Sequence, residues 1–177
     1  MDNFLENIYL VGLMGAGKTT IGRSLAKRLD SHFVDTDKEI ESRTGVSIPT
    51  IFEIEGEDGF RKRESQVIAE ISRKNGFVVA TGGGGVLREE NRENMRASGF
   101  VIYLNVSPQM LWERTRHDKN RPLLQVTDPL LKLNQLFTAR DPLYREVANL
   151  VVEGGRMSAQ GVLQYLLKEL SARWNPP

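Results

Sequence analysis

The sequence predicts an α/β fold in which helices cover both faces of a five-stranded parallel sheet. Five short apolar runs are predicted to be strands. The first, residues 7–13, lacks the alternation of polar and apolar residues that a half-exposed strand shows, so it is predicted to be covered on both faces. Segments of helical character separate these runs, which is the pattern of a parallel sheet with crossover helices. A chain of 177 residues is long enough for one buried core and too short for two ordinary domains. We therefore predict a three-layer sandwich formed by a single domain, residues 1–177.

The elements follow in a regular order. The strands are predicted at residues 7–13, 32–37, 77–85, 100–107 and 149–155. The first helix is predicted to start at Gly17, because Ile21, Leu25 and Leu29 then recur every four residues among basic side chains. Further helices are predicted at residues 37–44, 58–74, 88–97, 107–115, 128–145 and 158–173.

Composition excludes several classes of function. Lys and Arg total 24 against 23 for Asp and Glu, so no net positive field is available to hold nucleic acid or an anionic membrane. The absence of cysteine excludes disulfides and thiolate metal sites and fits a reducing compartment. The acidic start "MDNFLEN", followed by an apolar run that glycines interrupt, fits neither a signal peptide nor a spanning helix. We expect a cytoplasmic monomer with no nucleic-acid or membrane partner.

The stretch "GLMGAGKT", residues 12–19, matches the phosphate-binding pattern G-x-x-x-x-G-K-[ST] between a predicted strand and a predicted helix. Backbone N–H groups of such a loop surround phosphate oxygens, and the following helix directs its positive end at them. Lys18 would reach the β- and γ-phosphates, and the Thr19 hydroxyl would bind Mg²⁺. A merely tight turn would explain the glycines but not the Lys-Thr pair. We therefore predict a P-loop NTPase-type fold, with a nucleotide cradle of Gly15, Ala16, Gly17, Lys18, Thr19 and Thr20.

Two carboxylates end the second predicted strand. "HFVDTD" places Asp35 and Asp37 at the rim where open α/β sheets bind ligands. Phosphoryl transfer with Mg²⁺ requires an acidic residue near the P-loop, and the third and fourth strands offer none at their ends. One aspartate would then face the metal and the other a second substrate. The alternative is that one of them caps the helix that starts near Lys38.

The residues beside the cradle suggest a small anionic acceptor. No N-K-x-D element for guanine is present, which favours ATP, and little length remains for a mechanical module. Arg61, Arg140 and the glycine run 82–85 are typical of carboxylate binding, although a single arginine could equally be a surface residue. A basic segment, residues 114–127, is predicted to be a mobile lid or, alternatively, a solvated connection.

Six motifs occur together in one order: "GLMGAGKTT", "FVDTD", "FRKRE", "TGGGG", "RPLL" and "ARDPLY". Taken together they resemble the shikimate kinase family, from residue 8 to about residue 150. The resemblance implies a nucleoside-monophosphate-kinase-like fold. It also implies transfer of the γ-phosphoryl group of ATP to the 3-hydroxyl of shikimate, with Mg²⁺, on the route to chorismate and the aromatic amino acids.

The resemblance also implies roles for individual residues. Asp37 would be the base or orient the hydroxyl, and Asp35 would hold Mg²⁺ through water. Shikimate would be bound within a subregion of about residues 36–62 and by residues beyond it: Asp37, Arg61, Gly82, Gly83, Gly84 and Arg140, with Phe52 and Phe60 as apolar walls. On the nucleotide side, Arg121 would close over the β- and γ-phosphates and Arg114 would flank the adenine. The adenine contact after the fifth strand is left open, with Arg156 as a candidate.

Two alternatives remain at this stage. Another P-loop kinase, for gluconate or a nucleoside monophosphate, would share the cradle and differ in its acceptor. A nucleotide-binding regulator would keep the cradle without catalysis, although Asp35, Asp37 and Arg121 argue for chemistry.

Overall fold

The central sheet has five parallel strands. The computed structural model describes residues 6–174, in which the strands are β1 (Asn7–Val11), β2 (His32–Asp35), β3 (Phe77–Ala80), β4 (Gly99–Asn105) and β5 (Leu150–Glu153). Their order in the sheet is β2-β3-β1-β4-β5, and every neighbouring pair runs parallel. The predicted fold class is confirmed. The observed strands stop short of the predicted ends, since the residues after Asp35 already begin a helix and those after Ala80 form turns.

Seven helices flank the sheet in the described range: α1 (Lys18–Arg28), α2 (Thr36–Thr44), α3 (Ile48–Ser72), α4 (Glu89–Ser98), α5 (Pro108–Thr115), α6 (Pro129–Val147) and α7 (Ala159–Trp174). A 3₁₀ turn, Pro122–Leu124, lies between α5 and α6. Among residues 6–174, no helix combines the length and apolar character needed to cross a membrane.

The prediction that a helix starts near residue 58 is wrong, because α3 already begins at Ile48. Ser47 caps it by accepting a hydrogen bond from the Thr50 N–H. Within α3, Gly56 leaves helical geometry with φ 73° and ψ 178°. This break interrupts the helical spacing of apolar residues, so the sequence pattern did not predict that residues 48–56 belong to the same helix.

All five residues of β1 are buried, which is why the strand shows no alternation of polar and apolar residues. On α1, Ile21 and Leu25 are buried as the four-residue spacing predicts, whereas Leu29 is only partly buried against the core. Removal of a fully buried leucine such as Leu25 from water contributes roughly 2 kcal/mol to folding. This packing fixes α1 against the sheet and so fixes the loop that joins it to β1.

Candidate active site

The loop between β1 and α1 has the conformation of a phosphate cradle. Gly17 precedes α1 with φ 99°, a left-handed geometry that a side chain would disfavour. The loop is closed by the Ala16 N–H, which donates to the Leu13 carbonyl over 3.2 Å. No acidic residue lies in the first turn of α1. The N–H groups of that turn therefore present an uncompensated positive end to the space above the loop.

Lys18 is held against this loop. Its ammonium group donates to the carbonyls of Gly12, at 2.5 Å, and Leu13, at 2.9 Å. Burial, together with the neighbouring Arg121, lowers the pKa of Lys18 to about 7. A bound phosphate would favour its charged form, which is the electrostatic relation that a phosphate-binding lysine requires.

The metal-binding prediction places two oxygen groups together, and the structure brings them into contact. The Thr19 hydroxyl donates to Asp35 Oδ2 over 2.6 Å. The other carboxylate oxygen of Asp35 accepts from the Lys38 N–H at 3.1 Å, so Asp35 also caps α2. The capping interpretation therefore holds for Asp35. A hydroxyl and a carboxylate beside a phosphate cradle match the all-oxygen ligand set that Mg²⁺ prefers.

Asp37 lies in the first turn of α2, and its carboxylate points into the protein. Its Oδ1 atom is buried without a hydrogen-bond partner among the described residues. Burial, and then the charge of Asp35, raise the pKa of Asp37, while Lys18 opposes this shift. A buried acceptor left without a donor is costly unless a ligand satisfies it.

Arg61 lies in the second half of α3, after the Gly56 break, and is held by two carboxylates. Its Nη1 donates to Glu64 Oε1 at 2.9 Å and its Nη2 to Glu57 Oε1 at 3.1 Å. Glu64 is fully buried, and burial raises its pKa even though Arg61 opposes the shift. Glu64 is the last residue of the motif "FRKRE", but the sequence analysis assigned it no role. The spacing of three residues on one helix was the available sign that it would pair with Arg61.

The glycine run after β3 allows these groups to approach the backbone. A β-carbon at Gly82 would lie 2.6 Å from Asp37 Oδ1, and one at Gly84 would overlap the Arg61 guanidinium. The Gly82 N–H donates to Thr36 Oγ1 at 3.0 Å, so this amide is already engaged within the protein. The run is thus a bare backbone surface on which two charged side chains rest.

Arg140 lies in α6, near the end of a long helix as predicted, and is 3 % exposed. Its Nη1 atom has no hydrogen-bond partner among the described residues, and a β-carbon at Gly83 would lie 3.4 Å from it. Burial lowers the pKa of Arg140. A buried guanidinium with an unsatisfied N–H group is a favourable place for an anion.

Phe52 and Phe60 form an apolar wall beside these charges. Their ring centroids are 5.0 Å apart, and the rings are tilted by 40°. Phe60 is buried, whereas Phe52 is half-buried. Both rings line the same cavity as Arg61, which is the placement that the resemblance implied.

Two arginines approach the cradle from the segment 114–127. Arg114 donates through Nη1 to the Gly15 carbonyl at 3.1 Å, which places it directly on the loop. Arg121 is half-buried and pairs with Asp118 at 3.1 Å. Within the segment, Leu124 is buried, so the 3₁₀ turn is anchored to the core.

A single cavity of about 700 Å³ joins all these groups. The predicted nucleotide residues line it at one end: Gly15, Ala16, Gly17, Lys18, Thr19, Thr20, Asp35, Arg114 and Arg121. The predicted acceptor residues line it at the other: Asp37, Phe52, Phe60, Arg61, Gly82, Gly83, Gly84 and Arg140. After β5, the described side chains that line it are Met157, Ala159 and Val162, and Arg156 is not among them.

Comparisons with known proteins agree with this arrangement. A sequence model of shikimate kinases matches residues 14–171. The shikimate kinase of Dechloromonas aromatica is 63% identical over 166 residues, which cover 94% of this chain and 91% of the relative. The structure of a shikimate kinase from Acinetobacter baumannii in complex with shikimate superposes with a TM-score of 0.94 at 48% identity, covering 97% of this chain and 96% of that one.

A gluconokinase from Sinorhizobium meliloti, at 17% identity and a TM-score of 0.55, covers 97% of this chain and 98% of its own and shares the fold alone. The resemblance seen in the six motifs is therefore confirmed. The chain belongs to the shikimate kinase family, enzymes that use ATP to phosphorylate shikimate in aromatic amino-acid biosynthesis.

Proposed function

We propose that the chain transfers the γ-phosphoryl group of ATP to the 3-hydroxyl of shikimate within this one cavity, giving shikimate 3-phosphate and ADP. The observation that carries the proposal is the continuity of the cavity. Lys18 and the Thr19–Asp35 pair stand on one side of it, and Asp37, Arg61 and Arg140 stand on the other. A nucleotide and an acceptor bound there would be neighbours, and proximity is the main requirement of phosphoryl transfer.

The acceptor end has the chemistry of a site for a hydroxylated carboxylic acid. Arg61 and Arg140 are both buried. We propose that they bind the shikimate carboxylate together with the N–H group of Gly83, which is flanked by Gly82 and Gly84. The unpartnered Nε of Arg61 and Nη1 of Arg140 support this role, since each can donate to a ligand. The Acinetobacter relative, solved with shikimate bound, supports the same acceptor.

Asp37 would accept the proton of the attacking hydroxyl or hold that hydroxyl in line. The hydroxyl oxygen forms a bond to the γ-phosphorus, the bond from that phosphorus to the bridging oxygen breaks, and ADP leaves. The raised pKa of Asp37 brings the carboxylate closer to the range in which a general base is effective. Lys18 and Arg121 would neutralise the charge on the transferring group.

Thr19 and Asp35 would hold Mg²⁺. The Thr19 hydroxyl would bind the ion directly, and the Asp35 carboxylate would bind it through a water molecule. The contact between the two oxygens at 2.6 Å supports a shared cation there. When bound, Mg²⁺ would neutralise phosphate charge and orient the triphosphate.

The adenine would lie at the end of the cavity beyond the cradle. Arg114 is held on the Gly15 carbonyl and would flank the base, with Met157 beside it in the cavity wall. The segment 114–127 would act as a lid that brings Arg121 over the phosphates and excludes water from the reaction.

We further propose that the enzyme acts as a cytoplasmic monomer. The cavity is built from residues of one chain, so the site needs no second copy to be complete. The absence of cysteine fits a reducing compartment.

An ADP-release assay with shikimate, gluconate and CMP offered separately tests the acceptor. We expect turnover with shikimate alone. Lys18→Met should abolish it at saturating shikimate, whereas Lys27→Met, an exposed lysine on the same helix, should leave it unchanged. Turnover with gluconate or CMP would reassign the acceptor, and tight ATP binding without turnover on any acceptor would favour a regulator.

A further inference from the structure

Tyr144 contacts the glycine run of the acceptor site from the core side and does not line the cavity itself. It lies near the end of α6 and is 0% exposed. Its hydroxyl donates to the Gly83 carbonyl over 2.5 Å. The phenol therefore reaches the glycine run through the core rather than through the cavity.

This hydrogen bond fixes the orientation of one peptide group. The described chain contains no cis peptide bond, and in a trans peptide the C=O and N–H groups point in opposite directions. A Gly83 carbonyl that points at Tyr144 turns the Gly84 N–H to the opposite side. Both glycines line the cavity. The Leu87 N–H donates to the Gly84 carbonyl at 3.1 Å, and the Tyr144 hydroxyl holds the Gly83 carbonyl.

Tyr144 also lies beside Arg140, which precedes it by one helical turn, and the two groups interact electrostatically. Arg140 Nη1 in turn lies against the Gly83 backbone. One phenol therefore interacts both with the Gly83–Gly84 peptide group and with Arg140.

The phenol ring packs against a second aromatic ring, since its centroid lies 4.9 Å from that of Tyr103. The Tyr103 hydroxyl donates to Asp141 Oδ1 at 2.8 Å and takes no part in this ring contact. Burial raises the pKa of Tyr144, so its hydroxyl remains a donor at neutral pH.

We propose that Tyr144 is a positioning residue for acceptor binding, which holds the Gly83–Gly84 peptide and the Arg140 guanidinium in the geometry that receives the shikimate carboxylate. The inference rests on the proposed acceptor site. It predicts a larger effect on shikimate than on ATP, because the Tyr144 hydroxyl donates to the glycine run, whereas Lys18 of the cradle is held by the Gly12 and Leu13 carbonyls.

Steady-state kinetics of Tyr144→Phe in the full chain test this inference. We expect the KM for shikimate to rise about fivefold, as for loss of one buried hydrogen bond, with kcat and the KM for ATP within twofold of wild type. Tyr103→Phe is the matched control, since it removes a buried hydroxyl that does not touch the glycine run, and we expect both KM values to stay within twofold.

Equal changes in the two variants, an unchanged KM for shikimate in Tyr144→Phe, or parallel rises in the KM for both substrates would overturn the positioning role.

The ¹⁵N–¹H resonance of Gly84 provides a second measurement that does not depend on turnover. It should shift in Tyr144→Phe and not in Tyr103→Phe, and equal shifts or none would contradict the proposal. Arg140→Lys distinguishes failure of the acceptor site itself, because an unchanged KM for shikimate in that variant would refute the site whatever Tyr144 does.

Discussion

Thr19 and Asp35 meet at 2.6 Å, although one lies in the first turn of α1 and the other ends β2. The parallel sheet produces this contact. β1 leads into the cradle, and β2 ends at the same edge with β3 between them. Asp35 also caps α2, so its carboxylate is fixed on one side by a backbone N–H and on the other by a hydroxyl.

Asp35→Asn tests two roles of Asp35 separately, the capping of α2 and the proposed binding of Mg²⁺. Asparagine caps a helix as well as aspartate does, so unfolding in urea should show a change of at most about 0.5 kcal/mol. The loss of charge should raise the Mg²⁺ concentration for half-maximal activity about tenfold. Asp35→Ala should in addition lose about 1 kcal/mol of stability, because the cap is removed. An unchanged Mg²⁺ dependence in Asp35→Asn would refute the metal role.

Arg140→Ala should weaken shikimate binding selectively. Hydrogen bonds to a charged partner contribute about 1.5–3 kcal/mol, so the KM for shikimate should rise at least about tenfold. The KM for ATP should stay within twofold. Arg63→Ala is the control, since Arg63 pairs with Glu55 at 2.6 Å and is not among the residues that line the cavity. Similar losses for both substrates in Arg140→Ala would contradict the assignment.

Gly84→Ala tests whether the bare backbone of the glycine run is needed. A methyl group there would overlap the Arg61 guanidinium and displace it from Glu64. We expect the KM for shikimate to rise by about tenfold or more, because a displaced guanidinium loses its charge-assisted hydrogen bonds to the acceptor. Gly161→Ala, on α7, should leave the kinetics unchanged. Wild-type kinetics in Gly84→Ala would show that Arg61 does not need this surface.

Much of this site could be predicted from the sequence because its chemistry is carried by local patterns. The cradle from Gly12 to Thr19 is contiguous, and Asp35 and Asp37 follow a recognisable strand. Their meeting at one sheet edge follows from the parallel topology alone. The family resemblance added roles to Arg61 and Arg140 that composition and spacing left open.

The features that sequence reasoning missed depend on tertiary contacts or on a broken pattern. Glu64 and Tyr144 stand in the motifs "FRKRE" and "ARDPLY", but the sequence assigns them no role, and their partners become visible only when α3 and α6 pack beside the glycine run. The first half of α3 was missed because Gly56 breaks the helical period in a conformation that nothing nearby in the sequence demands.

Gly56→Ala should destabilise the protein without touching the cavity. At φ 73° and ψ 178° a side chain is strained even where space is open, as it is here. The cost should be about 1–3 kcal/mol in urea unfolding. Gly161→Ala, at a helical position without positive φ, should be neutral or stabilising by up to about 1 kcal/mol. Equal effects of the two substitutions would show that α3 straightens at little cost.

The most direct test of a shared cavity is a crystal structure with shikimate and a non-hydrolysable ATP analogue bound together. We predict the triphosphate on the loop beside Lys18, the shikimate carboxylate on Arg61 and Arg140, and a ring hydroxyl between Asp37 and the terminal phosphate. Shikimate bound away from Asp37, or with its carboxylate turned from both arginines, would contradict the account.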